Sequence, residues 1–419
     1  MGSTISVAEA RRFVLARCVP LRPLPRAIGD AAMLVLAETV RAPQAVPPFT
    51  NSAMDGYAVR AADTVGAPVR LHVVATVMAG NDSTPVVGNG GAARIMTGAQ
   101  MPPGADSVCM VERTRSEVGG SIVIVEEAVA PGANVRRAGE DIESNTEVFV
   151  PGTLLTAPHV GVLASLGIKT VLVYPPPRVG VVSTGDELAA ASGALAPGKI
   201  HDANRPALLA QLRTDGFEAV DLGMVGDDKT ALAQILEDGA ATCDAVVATG
   251  GVSVGDRDFV KLVLEDLCAP AVWWMHVAVK PARHFAFGTF ASTRAPVFGL
   301  PGNPVASLVS YELFVRPALR AMAGYRALDR PCLQATTEAD LSRHRDGTLH
   351  LLRVLAQTGP DGVLRVRLSG GQGSHMLLAM AEANALAVLP DGDGVPVGGQ
   401  VDVLLLDSDR LRPLDQAGP

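Results

Sequence analysis

Four acidic residues stand where the chain otherwise looks shaped for an anion. The stretch "TGGVSVGDRD" (249–258) has the glycines of a phosphate-cradling loop, but Asp256 takes the place of the P-loop lysine and Asp258 follows it closely. A second loop, "STGDEL" (183–188), adds Asp186 and Glu187. Carboxylates tolerate a neighbouring phosphate when a hard cation bridges them, and Mg²⁺ commonly links one or two carboxylates to substrate phosphates. Capping of the helix that follows accounts for one of Asp256 and Asp258, not for both together with the Asp186–Glu187 pair. Mg²⁺ is therefore the expected cofactor, with Asp186, Glu187, Asp256 and Asp258 as its ligands. A third loop, "GLPGNP" (299–304), opens a helix with Asn303 as N-cap and Pro304 at the first position. Bare amides and the positive helix end would there favour an anion without a lysine.

Two basic segments face this acidity. "VKPARHFAFG" sets Lys280 and Arg283 just past an apolar run, with His284 beside them, and Arg353 and the Ser374 of "GGQGSH" come later. Two or three cations with a hydroxyl suit a compact oxyanion. Other segments say less by themselves. Asp55-Gly56 reads first as a hairpin turn and Thr97-Gly98 as the start of a loop, while "RRAGEDI" (136–142), with Asp141, carries no chemistry on spacing alone.

The elements that must position these residues change in texture along the chain. Residues 7–17 and 29–40 have helix-like apolar spacing, whereas 45–144 is broken into short Val/Ile-rich runs between turn residues, an inserted β domain. "TAPHVGVLASLG" reads as a helix with Thr156 as N-cap and Gly167 at its end. From Arg178 strand and helix alternate ("RVGVVS", "RPALLAQLRTDG", "EAVDLGMV", "KTALAQILEDGA", "DAVVAT", "DFVKLVLEDL", "AVWWMHVAV", "APVFGL", "PVASLVSYELFVRPALRAM"), which predicts a central doubly wound, mostly parallel sheet. Its ligand loops should then meet at the carboxyl ends of the strands, where the three loops above fall. After Pro331 the texture is β again. The expected domains are 1–44 plus 145–177 (a discontinuous helical and linker domain), 45–144, 178–326 and a small C-terminal β-barrel-like domain at 327–419.

Composition excludes other classes. A net charge of −8 and an aromatic content of only 4% over 419 residues argue against nucleic-acid binding. No apolar run is long enough to span a bilayer, and the five scattered cysteines never form a C-x-x-C pair, which points to reduced thiols and a cytoplasmic protein without membrane insertion.

Taken in order on one chain, "NSAMDGYAV", "IMTGAQMPPGADSV", "RRAGEDI", "VGVVSTGDEL", "IHDANRPALLAQL", "GGVSVGDRDF", "KPARHFAFG" and "GLPGNPVAS" resemble the MoeA/gephyrin E-domain family of molybdopterin molybdenumtransferases over nearly the whole length. The resemblance implies four domains with a MogA-like central one, an elongated homodimer, and molybdenum insertion from molybdate into adenylylated molybdopterin with release of AMP and a need for Mg²⁺. It implies a pterin-nucleotide site at Thr184, Gly185, Gly250, Gly251, Ser253, Pro301, Gly302 and Asn303. Lys280, Arg283, Arg353 and Ser374 resemble the family's molybdate site. Asp55, Thr97, Asp141 and Asp258 take catalytic places, with Asp55 and Thr97 acting from the partner subunit's β domain. One departure is visible: the family often reads K-P-G-K-P where this chain has "KPARH", so Arg283 and His284 replace lysine and proline. Two further readings stand beside this one: a gephyrin-like scaffold that binds a peptide partner, and a molybdopterin adenylyltransferase or nucleotide hydrolase using the central domain alone. A molybdopterin adenylyltransferase is also an expected protein partner.

Overall fold

The Val-rich runs from Arg178 onward form a sheet whose central strands are buried on both faces, as covering helices require. In the computed structural model, which describes residues 4–81, 85–117, 119–189, 195–251 and 259–411, they form β1 (Arg178–Thr184), β2 (Glu218–Val225) and β3 (Ala245–Thr249), linked by helices α1 (Asn204–Thr214) and α2 (Lys229–Thr242). Helix α3 (Phe259–Leu267) then leads to β4 (Trp273–His276), β5 (His284–Thr289) and β6 (Pro296–Leu300). The six strands lie in the order β2-β1-β3-β6-β5-β4. β2, β1, β3 and β6 are parallel, whereas β5 runs antiparallel both to β6 and to the edge strand β4. Ser253, Asp256 and Asp258 lie outside the described residues.

Two expectations about this region change. The apolar run "AVWWMHVAV" is not one strand: β4 ends at His276, and Val279–Lys280 pairs instead with a strand of the C-terminal domain. The positive segment after it enters β5, whose first residue, His284, lies opposite His276. The last helical run is continuous but carries a π-helical turn at Tyr311–Val315 between helices Pro304–Ser310 and Arg316–Met322. Pro317 supplies no N–H to the Leu313 carbonyl and crowds it. That carbonyl accepts from Arg11 Nη1 at 3.1 Å instead. Arg11 comes from the N-terminal helix Val7–Leu15, whose Ala10 and Val14 are buried in the same core as Leu319 and Val277.

The C-terminal strands Cys332–Thr337, Leu349–Thr358, Leu364–Leu368, Ala385–Leu389 and Gln400–Leu405 pair around a ring, because Leu349–Thr358 also bonds Ala385–Leu389. The ring is a closed five-stranded barrel, which removes every edge that an open sheet of this size would expose.

The chain divides into two units, one of residues 1–24, 33–35 and 173–419, the other of residues 25–32 and 36–172. The domain expected at 1–44 plus 145–177 falls partly in each of these two units. The second unit contains a six-stranded half-barrel sheet, and the helix Ala157–Ser165 with Thr156 at its N-cap and Gly167 at positive φ beyond its end. Residues 29–40 form no α-helix, only the end of a 3₁₀ turn at Ile28–Asp30. The N–H groups of Leu36 and Ala37 donate to the carbonyls of Thr153 and Leu172 instead of to residues one turn earlier, so the apolar spacing there serves a non-helical path. Nor is Asp55-Gly56 a hairpin turn, since Asn51–Ser52 and Gly56–Val59 pair in different sheets. Gly56 is needed for close approach: a Cβ there would stand 1.9 Å from the Cys109 carbonyl oxygen.

Candidate active site

Three of the singled-out loops meet at the carboxyl edge of the central sheet. Gly250, directly after β3, packs so closely on Thr184 at the end of β1 that a Cβ would stand 2.3 Å from the Thr184 carbonyl oxygen. Gly302, after β6, faces the Gly250 Cα across an ordinary 3.9 Å from its own Cβ position. Asn204, the first residue of α1, staples the cluster by donating its Nδ2 to Thr249 Oγ1 at 2.9 Å and to the Gly302 carbonyl at 2.8 Å. Its Oδ1 is buried with no partner among the described residues, so one acceptor remains for a ligand. Below it the buried Asp202 accepts from Ser183 Oγ at 2.6 Å and from Arg205 Nε at 2.9 Å, which fixes the start of α1.

The amides are less bare than the loop sequences suggest. Gly185 donates its N–H to Val225, Gly250 to Leu300, and Val305 to the Ser374 carbonyl. Gly250 thus contributes shape, not a hydrogen bond. Asn303 occupies the N-cap position of the helix at Pro304 without a side-chain capping bond. The N–H groups of Gly251, Gly302 and Asn303 have no partner among the described residues and are left for an anion.

Beside these loops lie Asp186, Glu187 and a third acid that sequence reading passed over, Asp227, whose N–H donates to Asp186 Oδ1 at 2.9 Å. Burial first, then the negative charges of Asp186 and Glu187, push the Asp227 carboxyl above the usual range. Lys199 Nζ donates to the Asp186 main-chain carbonyl. Among the described residues no three His, Cys, Asp or Glu side chains are poised around a single metal. Mg²⁺ does not need such a cage, because it keeps several waters and takes one or two carboxylates plus substrate oxygens. A group of hard oxygen donors, in which the charges of Asp186 and Glu187 help to raise the Asp227 pKa, fits that ion.

The basic residues converge too. Lys280, Arg283, Arg353 and Ser374 line a single cavity of about 810 Å³, together with His284, Pro301 and Asn303. The last two come from the loop cluster, so oxyanion-type and phosphate-type residues share one space. The Val305–Ser374 bond, at 3.0 Å, ties the "GGQGSH" loop of the barrel to the loop after β6. Arg353, on the barrel strand Leu349–Thr358, is 1% exposed. Its Nη2 donates to the carbonyls of Gly371 and Gly373, both at 3.2 Å, while its Nε has no partner among the described residues. No carboxylate pairs with it there, and burial alone pulls its pKa below the usual arginine range. A buried cation without a counter-charge is costly in a fold and argues for an anionic ligand.

Lys280 differs. Its ammonium is engaged by Asp346, which also accepts from Arg343 Nη2 at 3.1 Å, from Thr348 and from His350 Nε2 at 3.1 Å. Those donors, the Lys280 ammonium first, hold the Asp346 carboxyl far below the usual range. Asp346, Arg343 and His350 were not legible as site residues; "RDGT" looks like any polar turn.

Ala282 stands at φ +86°, a left-handed conformation that favours glycine, in the place where the resembling family often has one. Ala282→Gly should relieve that strain and raise stability by up to about 1 kcal/mol, less the greater freedom of the unfolded glycine. Urea denaturation checks this, and a loss of stability would show that the buried methyl matters more than the strain.

Asp55 and Thr97, in the second unit, touch. Asp55 Oδ1 accepts from the Thr97 N–H at 2.7 Å and from Thr97 Oγ1 at 2.8 Å, and these bonds, the main-chain one first, lower the Asp55 pKa. Asp141, in the same unit, is exposed and donates its N–H to the Val46 carbonyl; no hydrogen bond links it to that pair. Thr97→Val keeps the N–H and removes the hydroxyl, so Asp55 should titrate higher, and the acid limb of any activity needing its carboxylate should move to higher pH. An NMR titration of the Asp55 carboxyl carbon that did not move would overturn this.

Fold and site together define a multidomain α/β protein whose sheet-edge loops and barrel enclose a cation-lined cavity. Three family profiles match along it: "MoeA N-terminal region (domain I and II)" over residues 5–167, "Probable molybdopterin binding domain" over 180–321 and "MoeA C-terminal region (domain IV)" over 335–406. A molybdopterin molybdenumtransferase of Nostoc sp. is 37% identical over 89% of this chain and 86% of its own length. That of Haemophilus influenzae is 36% identical over 89% and 91%. The solved structure of a molybdopterin biosynthesis MoeA protein from Pyrococcus horikoshii superposes with a TM-score of 0.80 at 29% identity, over 96% of this chain and all of that one. The chain belongs to the MoeA family of molybdopterin molybdenumtransferases.

Proposed function

We propose that the chain inserts molybdenum from molybdate into adenylylated molybdopterin and releases AMP, the last step of molybdenum cofactor assembly. The observation that carries the reading is the cavity lined by Lys280, Arg283, Arg353 and Ser374 and shared with the loop of Pro301 and Asn303. Molybdate is a dianion, and its desolvation must be offset by fixed cations. The buried Arg353, with its uncommitted Nε, is the donor best suited to it. Arg283 makes no side-chain ion pair among the described residues and supplies a second cation, in fork geometry. The Ser374 hydroxyl adds a neutral donor. Gly251, Gly302 and Asn303 offer N–H groups to the pterin-nucleotide phosphates, with Thr184 and Gly250 shaping the floor. Asp186, Glu187, Asp256 and Asp258 would hold Mg²⁺, which when bound supplies positive charge to the phosphate oxygens.

Asp55, with Thr97 holding it ionised, is assigned to the site of a partner subunit in a homodimer. If so, mixing Asp55→Ala chains with Asp258→Asn chains should restore part of the activity, because one site of each heterodimer stays intact. No recovery in verified heterodimers would mean that each chain builds its own site. The cytoplasm is the compartment proposed, in keeping with five free cysteines. The reaction itself is tested by incubating the protein with adenylylated molybdopterin, Mg²⁺ and molybdate and following AMP. Binding of the pterin nucleotide without AMP release would turn the assignment toward a scaffold, a reading that no observation on this chain favours.

A further inference from the structure

His284 stands where the resembling family often has proline, and its surroundings are specific. The ring lines the same cavity as Arg283, Arg353 and Ser374. It stands edge-to-face on His276, ring centroids 4.7 Å apart, because the two are cross-strand partners at the start of β5 and the end of β4. Neither ring nitrogen of His284 has a hydrogen-bond or ion-pair partner among the described residues. An imidazole left uncommitted in a cavity read as an oxyanion site, with His276 and Arg283 the charged or titratable groups acting on it most directly, is placed to meet an arriving anion.

We infer that His284 is an oxyanion-binding residue of this chain and that it takes up a proton from solvent when the oxyanion enters. This rests on reading the cavity as the oxyanion site. In the free protein, burial first, then His276 and Arg283, hold the imidazole below the usual histidine range, so it is uncharged near neutrality. A dianion arriving in the cavity reverses the local potential and favours the imidazolium, which then donates an N–H to it. The proton bound to His284 comes from the medium, and no other bond changes.

Other titratable groups face the ring and must be separated from it. On its own side are His276, Lys280 and Arg283. Across the cavity, from the barrel, come Asp340, Arg343, His344, Asp346, His350 and Arg353. His350 is the main competitor, but its Nε2 is already engaged by Asp346 at 3.1 Å, so an arriving anion changes its environment less.

The sign follows from linkage. Protonated His284 binds the anion better, so affinity for molybdate should tighten as pH falls toward the free-protein pKa, by up to about tenfold per pH unit for one coupled proton. The experiment is calorimetric titration of the full chain with molybdate alone between about pH 6.5 and 8.5, from the ordinary histidine pKa upward, where free His284 is uncharged, in buffers of different ionisation enthalpy. The expected result is proton uptake approaching one per site in the wild type, lost in His284→Gln and retained in His350→Gln. His284→Lys, which supplies a permanent charge, should bind at all pH values with little pH dependence. Unaltered proton uptake in His284→Gln, or molybdate binding without uptake in the wild type, overturns the inference while leaving the oxyanion site standing. No molybdate binding at any pH overturns the oxyanion site and the inference with it.

Discussion

Arg353→Met should leave the protein folded and no less stable, yet weaken its use of molybdate ten- to a hundredfold. The guanidinium is 1% exposed, has no carboxylate partner among the described residues and keeps one nitrogen uncommitted. A charge-assisted hydrogen bond to an oxyanion contributes about 1.5–3 kcal/mol, and each 1.4 kcal/mol is roughly tenfold in affinity. Methionine is of similar length and apolar, and such replacements of buried charges are often neutral or stabilising. Here the gain is limited, because the Gly371 carbonyl loses the Arg353 donor and the Gly373 carbonyl keeps only the Met376 N–H. The measurements are the molybdate dependence of AMP release, pterin-nucleotide affinity and thermal unfolding. A large drop in stability with normal molybdate dependence would make Arg353 a structural residue only. Collapse of pterin-nucleotide binding with unchanged molybdate dependence would move it to the nucleotide site.

Gly250→Ala should abolish pterin-nucleotide binding, whereas Gly302→Ala should barely disturb it. Both glycines sit in the loop cluster, but their surroundings differ. Gly250 has φ +95°, and a Cβ would stand 2.3 Å from the Thr184 carbonyl oxygen and 2.9 Å from Thr184 Oγ1. Backbone strain of that kind costs about 1–3 kcal/mol before the clash is counted. The substitution can be accommodated only by moving β3 away from β1 at the sheet edge, which breaks the bonds that hold Asn204, Thr249 and Pro301 together. At Gly302 the nearest atom to a Cβ is 3.9 Å away, an ordinary contact. Equilibrium binding of the adenylylated pterin to both variants decides the matter. Equal effects would mean that the convergence of the loops does not set the affinity.

The alternation of strand and helix from Arg178, and the loops where strands end, were legible in the sequence because they follow from periodicity and from backbone conformations that few residues adopt. Glycine at 250 and the acidic pair at 186–187 are local facts, and local facts survive in a linear text. The four residues proposed for the oxyanion were also singled out there. Lys280 and Arg283 follow an apolar run, Arg353 interrupts one and Ser374 lies in a Gly-rich polar turn, and the structure brings all four to one cavity. What the sequence alone left undecided depends on which segments meet. Residues 29–40 carry helical spacing, but the N–H groups of Leu36 and Ala37 find carbonyls more than a hundred residues away, and tertiary pairing outweighs local preference there. "AVWWMHVAV" is apolar throughout, so nothing in it marks where β4 ends and the chain crosses to the barrel. Asp346, in a polar turn, becomes the hub for Lys280, Arg343 and His350 only because the barrel brings them together. The lack of a counter-charge at Arg353 among the described residues is of the same kind. An arginine in a sequence is a charge of unknown surroundings; only the packed barrel makes it a buried cation with room for an anion, because burial and pairing are relations between distant parts of the chain.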